Sequence, residues 1–271
     1  LALAGIAVLM YFRDRGWRDI SPSKAGQAFA KVRWTDANTT IGLSGSYADT
    51  NLNGNGLQEM RLLAADRASV YTWPDNTRNR ASLGNLTVEH RFSDALSFSG
   101  NAFWRRIDTD TFNGDVNDGA LGENLYQPNA VERAALAAAG YTGFPTSGET
   151  QGNTPFPKWR CIANILLDSE PNEKCDGLAN RSRIRQREWG GTAELTLVSP
   201  IASGSNRLTL GLSYVRSSAD FVQNSQFGYL TPDRGIVTVV GPGAFADGTQ
   251  DSENAFDARV ILFGSGAASG D

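Results

Sequence analysis

Apolar and polar positions alternate most fully between residues 82 and 106. Gly84, Leu86, Val88 and His90 share one parity, and Asn85, Thr87 and Glu89 share the other. Past Phe92-Ser93-Asp94-Ala95 the alternation resumes, with Leu96, Phe98, Gly100, Ala102 and Trp104 opposite Ser97, Ser99, Asn101 and Arg105. Successive side chains of a strand point to opposite faces, so this stretch predicts a hairpin with one apolar and one polar side. Each arm is about ten residues long, the span that crosses a bilayer when tilted. Its apolar face ends at Trp104, where an interfacial ring belongs.

Two further stretches read the same way. Ala28, Ala30, Val32 and Trp34 oppose Phe29, Lys31 and Arg33, and after a break at 35–38 Ile41, Leu43, Gly45 and Tyr47 oppose Thr40, Gly42, Ser44 and Ser46. Later, Trp189, Ala193, Leu195 and Leu197 oppose Thr192, Glu194 and Thr196, and Leu208, Leu210, Leu212 and Tyr214 oppose Thr209, Gly211 and Ser213. A first strand over 4–13 places Ile6, Val8, Met10 and Phe12 on one face and Ala7, Leu9 and Tyr11 on the other. The second of these faces is more apolar than a water-filled lumen favours. One more strand is expected over 256–263. Helix formers at 57–68 predict a short surface helix. Asn129, Glu132 three positions on, and Gly140 supply an N-cap, a capping-box partner and a C-cap for a helix over 130–139.

Tight turns at 36–38, 92–95 and 200–206 therefore alternate with long connections at 14–25, 48–80, 107–186 and 220–255. Connections of that length are unusual in compact soluble domains. Transmembrane barrels pair short periplasmic turns with long external loops as a rule. The fold class expected is all-β, antiparallel transmembrane β-barrel hairpins with long external loops. Residues 1–219 would carry the hairpins, and 220–271 an external loop, a further strand and a divergent tail.

Composition narrows the functions. The net charge of -4 over 271 residues offers no basic field for nucleic acid. A mean hydropathy of -0.33 argues against a helical membrane protein and leaves a barrel open, since every second barrel position is polar. Cys161 and Cys175 would close a loop of about fifteen residues, worth roughly 3 kcal/mol in the chain-entropy account. A disulfide there implies an oxidising compartment, which the longest external loop would occupy. The alternative is two unrelated thiols; a zinc site lacks ligands, since the single histidine, His90, lies on another element.

Candidate chemistry is sparse. No hydrolase elbow, phosphate-binding loop or metalloprotease motif is present, so no enzyme, catalytic residue or cofactor is expected. His90 is expected at the membrane interface. The acidic run 108–119 fails EF-hand spacing: counted from Asn113, Asp118 stands where glycine is required and Asn124 where glutamate is required. A solvated loop is expected there, with no metal. Arg181, Arg183, Arg185 and Arg187 recur at every second position and share one face of an extended segment. They would either meet an anionic ligand or lipopolysaccharide phosphates, or line a charged lumen entrance opposite Glu188, Glu194 or loop carboxylates; the lumen placement is the one favoured.

Residues 16–23 (Gly-Trp-Arg-Asp-Ile-Ser-Pro-Ser), 53–56 (Asn-Gly-Asn-Gly), 71–75 (Tyr-Thr-Trp-Pro-Asp) and 96–106 also resemble the early barrel of TonB-dependent outer-membrane receptors, in the family's order. The resemblance covers roughly residues 1 to 235. It implies a barrel of about 22 strands, an N-terminal plug, and energised import of ferric siderophores, vitamin B12 or carbohydrates. This chain would be a portion covering early barrel strands, with the plug absent and TonB a partner only through a plug elsewhere. The expected location is the outer membrane of a Gram-negative bacterium. Expected partners are outer-membrane lipid, lipopolysaccharide and a small-molecule ligand at the external loops. Ring stacking and anion pairing suggest Trp17, Arg18, Tyr71, Trp73, Tyr126, Arg183 and Arg185 as ligand contacts. Two alternatives are a small complete barrel acting as adhesin or structural protein without transport, and, more weakly, a soluble β-sandwich.

Overall fold

A computed structural model describes residues 1–54, 56–120, 127–146, 158–201, 204–246 and 258–266, with the backbone path alone for 200–201, 204–205 and 258–266. Nine strands form one sheet: β1 (Ala2–Asp14), β2 (Ser23–Thr35), β3 (Thr39–Asn53), β4 (Asp75–Arg91), β5 (Leu96–Val116), β6 (Gly177–Ile201), β7 (Gly204–Leu230), β8 (Ile236–Thr238) and β9 (Ala258–Gly266). Each pairs antiparallel with its sequence neighbour up to β8, and β9 returns to pair with β7 as well. Among the described residues β1 pairs only with β2, so the sheet is open. No described helix is long and apolar enough to cross a membrane.

Register converts the alternation into a surface. Residues directly opposite across an antiparallel ladder point to the same face. One such row reads Leu3, Trp34, Ile41, Val88, Gly100, Ala193, Leu212, and the next reads Gly5, Val32, Leu43, Leu86, Ala102, Gly191, Tyr214. Seven strands thus share one apolar face, and its large side chains are exposed: Leu9 is 84% exposed and Leu212 73%. The opposite face carries Lys31, Arg33, Asn85, Thr87, Glu89, Asn101, Glu188 and Glu194, including an Arg105–Glu188 pair and an Asn101–Asn85 hydrogen bond.

Pairing reverses the expected faces of β1. Leu9 stands opposite Ala28 and Leu3 opposite Trp34, so Leu3, Ala7, Leu9 and Tyr11 join the apolar band. Ile6, Val8, Met10 and Phe12 join the polar face, opposite Lys31, Phe29, Gln27 and Ala25. Both faces of β1 are apolar, so its own periodicity could not choose.

The tight ends lie where turn chemistry placed them. Between β2 and β3, Asp36 Oδ1 accepts from the amides of Asn38 (2.9 Å) and Thr39 (2.7 Å), an arrangement that holds its carboxyl below the usual range. Between β4 and β5, Ser93 Oγ accepts from the amides of Ala95 and Leu96. The β6–β7 turn is shorter than the 200–206 expected, because strand pairing continues to Ile201↔Gly204. At the other end β3 to β7 run well past the apolar band. The connections shrink to 54–74 and 117–176, and β7 continues to Leu230. These extensions, such as 107–116, are polar on both faces, so apolar alternation stops before the strands do.

The described parts of the long connections are folded. A helix α1 (Met60–Ala65) lies inside the expected 57–68 segment, with Glu59 accepting from the amides of Arg61 and Leu62. α2 (Ala130–Ala138) begins with the expected Asn129–Glu132 capping box. It ends at Gly140 (φ 83°), with Gly140 N donating to Ala137 O and Tyr141 N to Leu136 O. α3 (Lys158–Leu167) and α4 (Pro171–Lys174) were not foreseen. Together with residues 239–246 these helices build a cap over the outer ends of β6 and β7. Its core is Leu136, Cys161, Ile162, Ile165, Cys175, Phe227, Val239 and three alanines.

Candidate functional site

Two surfaces of this wall can do chemistry with a partner: the outer face where the apolar band ends, and the external loops above it. The band closes outward in a staggered belt of rings that spans three rungs: Tyr47 on β3, Trp104 on β5, Trp189 on β6 and Tyr214 on β7, all exposed. Trp104 stands opposite Trp189, and the Trp189 and Tyr214 ring centroids are 5.4 Å apart. Tryptophan and tyrosine suit the hydrocarbon–headgroup boundary, where a ring sits in a boundary layer and its polar atom meets water.

Beyond that row the outer face becomes charged. Asp49, Arg80, Asp108, Arg185 and Asp220 form one row across five strands, alternating in sign. In the next, Arg78, Asp110 and Arg183 stand side by side. Arg78 bonds Asp49 at 2.9 Å, Arg183 bonds Asp110 at 2.8 Å, and Arg106 grips Asp108 through Nε and Nη2. The arginine series 181–187 therefore does not line the lumen. It continues the parity of Trp189, Ala193, Leu195 and Leu197, and the ladder puts that parity outside. The carboxylates it meets are Asp108, Asp110 and Asp220; Glu188 and Glu194 lie on the other face.

The loop residues chosen for ligand contact separate. Trp17 and Arg18 sit between β1 and β2, with the Arg18 guanidinium 4.9 Å from the Trp17 ring centroid and the Trp17 ring exposed. This loop turns at Gly16 (φ 73°), where a Cβ would meet Ser21 Oγ at 2.1 Å. It is tied to the next loop by Asp19 N donating to Ala68 O (2.8 Å) and Asn53 Nδ2 to Pro22 O (2.7 Å). Trp73 precedes a cis Pro74 and is held against 233–236: its Nε1 donates to Asp233 O (3.2 Å), and Ile236 N donates to its carbonyl (3.0 Å). Arg234 donates to the carbonyls of Val70 (2.6 Å) and Tyr71 (2.7 Å), completing a clasp between the two loops. Tyr71 borders a cleft of about 520 Å³ lined also by Gln58, Glu59, Thr72, Asp75, Asn113 and Asp115. Glu59 there is held below the usual carboxylate range by its hydrogen bond from Arg61. Arg183 and Arg185 lie apart from these loops, on the outer face. Tyr126 lies outside the described residues.

Cys161 and Cys175 are joined as a disulfide linking α3 to the end of α4, and both are fully buried. Around them the cap satisfies its polar groups. Glu132, 3% exposed, accepts from Asn164 Nδ2 (2.7 Å) and Arg160 Nε (3.3 Å) through one oxygen, and from the Asn129 amide (2.7 Å) through the other. Asp176, also buried, accepts from the Leu230 amide (2.9 Å), and burial pushes its pKa up to about 6. The sequence signal for this docking is Gly241-Pro242-Gly243. Gly243 N donates to Ile165 O, and a Cβ at Gly241 would lie 2.8 Å from Ile165 Cγ2, so the glycines permit close docking on α3.

The remaining sequence candidates have local explanations. His90 lies at the turn end, with Nδ1 2.9 Å from Thr39 Oγ1 and its ring edge-on to Phe92. The acidic run is strand up to Val116, with Asp108 and Asp110 engaged by arginines.

No protein-family model and no curated protein sequence matches the chain. Among solved structures, the ferric citrate transporter FecA in its unliganded form superposes with a TM-score of 0.54 at 12% identity, over 83% of this chain and 25% of its own. The P. aeruginosa protein FpvA, in complex with a pyoverdine and iron, gives a TM-score of 0.50 at 8% identity, over 96% of this chain and 29% of its own. The chain thus spans roughly a quarter of the length of these proteins. What it shares with them is a fold, the antiparallel wall of an outer-membrane barrel with long external loops.

Proposed function

We propose that the chain is part of the wall of a TonB-dependent outer-membrane receptor that captures and imports a scarce nutrient such as a ferric siderophore. The observation that carries this reading is the exposed apolar band across seven strands, bounded by rings, with tight turns at one end and folded loops at the other. Such a face is stable only when lipid covers it. The open sheet favours a larger barrel over the small, complete, non-transporting one. The transporting relatives of the fold lend the substrate class, and the ligand would meet Trp17, Arg18 and Tyr71 on the loops. Trp73 would support them from its clasp with 233–236.

Uptake of radiolabelled iron as a panel of ferric chelates, in cells carrying and lacking the gene, tests this. Loss of uptake of one chelate on deletion is expected, with the chain recovered in the outer-membrane fraction. Equal uptake of every chelate by both strains would refute the import of ferric chelates.

A further inference from the structure

The lumen side of a barrel wall is ordinarily polar, yet the polar face of this sheet holds an apolar trough. Ser46, Ala48 and Ala81 make its low floor on β3 and β4. Val8, Met10 and Phe29 rise on one side of that floor, and Leu83 and Ile107 on the other, around a volume of about 370 Å³. Val8, Met10 and Phe29 are also half-exposed, so apolar surface there lacks a cover. The second apolar face of β1, which its own periodicity does not explain, forms one bank of this trough.

Charge beside the trough identifies what would cover it. Lys31 and Arg33 follow Phe29 on the same face of β2 and are exposed. Lys31 stands opposite Ile6 and Ser44, and Arg33 opposite Ala4 and Gly42, so neither has a carboxylate across a ladder. Neither forms an ion pair among the described residues. Arg105, the cation on the far bank, is already taken by Glu188. Two uncompensated cations at one end of an apolar trough match a ligand with an alkyl chain and an anionic head. From β2 to β5 such a chain crosses three strand spacings, about 14 Å, the reach of a medium-chain fatty acid. Ser46 and Leu83 lie between the rung of Trp104 and the rung of Tyr47, so the trough is level with the outer aromatic belt and near the external mouth.

We propose that this trough binds a medium-chain fatty acid, with the alkyl chain laid over Ala48 and Ala81 between Phe29 and Ile107 and the carboxylate held by Lys31 and Arg33. The inference rests on the proposed receptor wall, whose lumen this face would line, and adds to it an amphiphilic ligand.

The test uses outer-membrane vesicles from cells carrying the gene, incubated with dodecanoate that bears a diazirine on its chain. After irradiation, labelled peptides are mapped by mass spectrometry. Label at Phe29, Ala48, Leu83 and Ile107 should saturate and be displaced by excess dodecanoate but not by dodecanol. Label at Leu43 and Leu86, exposed on the apolar band, should rise without saturation and reports that each variant is in place. Lys31→Gln/Arg33→Gln should weaken the saturable label about tenfold, the scale of a charged hydrogen bond. Ala81→Phe, which fills the floor and keeps both cations, should abolish it. The outer-face variant Arg187→Gln/Arg216→Gln should leave it intact. Trough label that never saturates, equal displacement by dodecanol, or unchanged affinity in Lys31→Gln/Arg33→Gln would each overturn the site and leave the wall standing. Absence of the chain from the vesicles would overturn the wall and the site together.

Discussion

The sheet and the cap spend the same apolar residues in opposite ways. On the sheet, Leu9, Leu43, Leu210 and Leu212 stand exposed in a continuous band, whereas in the cap Leu136, Ile165 and both cysteines are wholly withdrawn from water. The cap excludes water with its own chain, stapled by a disulfide, as a small soluble domain does. The wall, in the proposed membrane setting, leaves that task to lipid. From β2 to β7 its backbone groups are paired with a strand on either side, as crossing a bilayer requires, and the free edge of β1 needs a further strand to meet that condition. Charges are placed accordingly: the cap buries Glu132 within a hydrogen-bond network, while the outer face of the wall sets its charges beyond the aromatic rings.

Substitutions should separate the two regions. The largest effect is expected from Glu132→Ala, which strips a buried network of the carboxylate shared by Arg160, Asn164 and the Asn129 amide. A loss of about 3–5 kcal/mol is expected, measured as cap-specific protease sensitivity, with the β-sheet circular dichroism retained. Equal melting of cap and sheet would mean that the two are one cooperative unit. Leu212→Arg places a charge in the band and should cost about 2–4 kcal/mol when the chain unfolds from lipid, with cap proteolysis unchanged. An unchanged unfolding midpoint in vesicles would show that this face is not lipid-covered.

A third effect depends on pH. Folded Asp176 keeps its proton up to about 6, against an ordinary value of 3.8 that the unfolded chain is taken to have. Between those values the native cap binds more protons than the unfolded one, so cap stability falls as pH rises from about 4 to about 6 and is level above. The shift corresponds to roughly 3 kcal/mol at most. Asp176→Asn keeps an oxygen for the Leu230 amide and should flatten that profile; a profile that stays sloped would assign it to another group. Smallest of all is the effect of Arg78→Ala on the exposed Arg78–Asp49 pair, which salt should erase further. A loss comparable to that of Glu132→Ala would show that the outer charge rows act as one network.

Much of this contrast was legible along the chain. Alternation in 28–47, 82–106 and 188–219 marked the hairpins because a half-exposed strand must repeat every two residues. Asn129, Glu132 and Gly140 marked α2 because helix ends need caps. The outward side of the arginine series was also readable, since 181–187 share the odd parity of 189–197, although Glu188 and Glu194 lie near in sequence on the other face. What resisted reading has a physical reason in each case. Residues 107–116 and 177–187 are strand with polar residues on both faces, so no apolar period marks them. The separation of Trp73 from the exposed Trp17 depends on contacts with 233–236, more than 150 residues away.

By itself the sequence determined the local periods: which residues alternate, where the chain turns tightly, and that two cysteines lie close enough to join. Those follow from backbone geometry over a few residues. Tertiary structure alone decided which face of β1 joins the apolar band, that residues 127–146, 158–176 and 239–246 gather into a cap on β7, and that Arg106, Arg187 and Arg216 lie close together on three strands. These are consequences of pairing partners and register, and a residue carries no local mark of the partner it will have across a ladder.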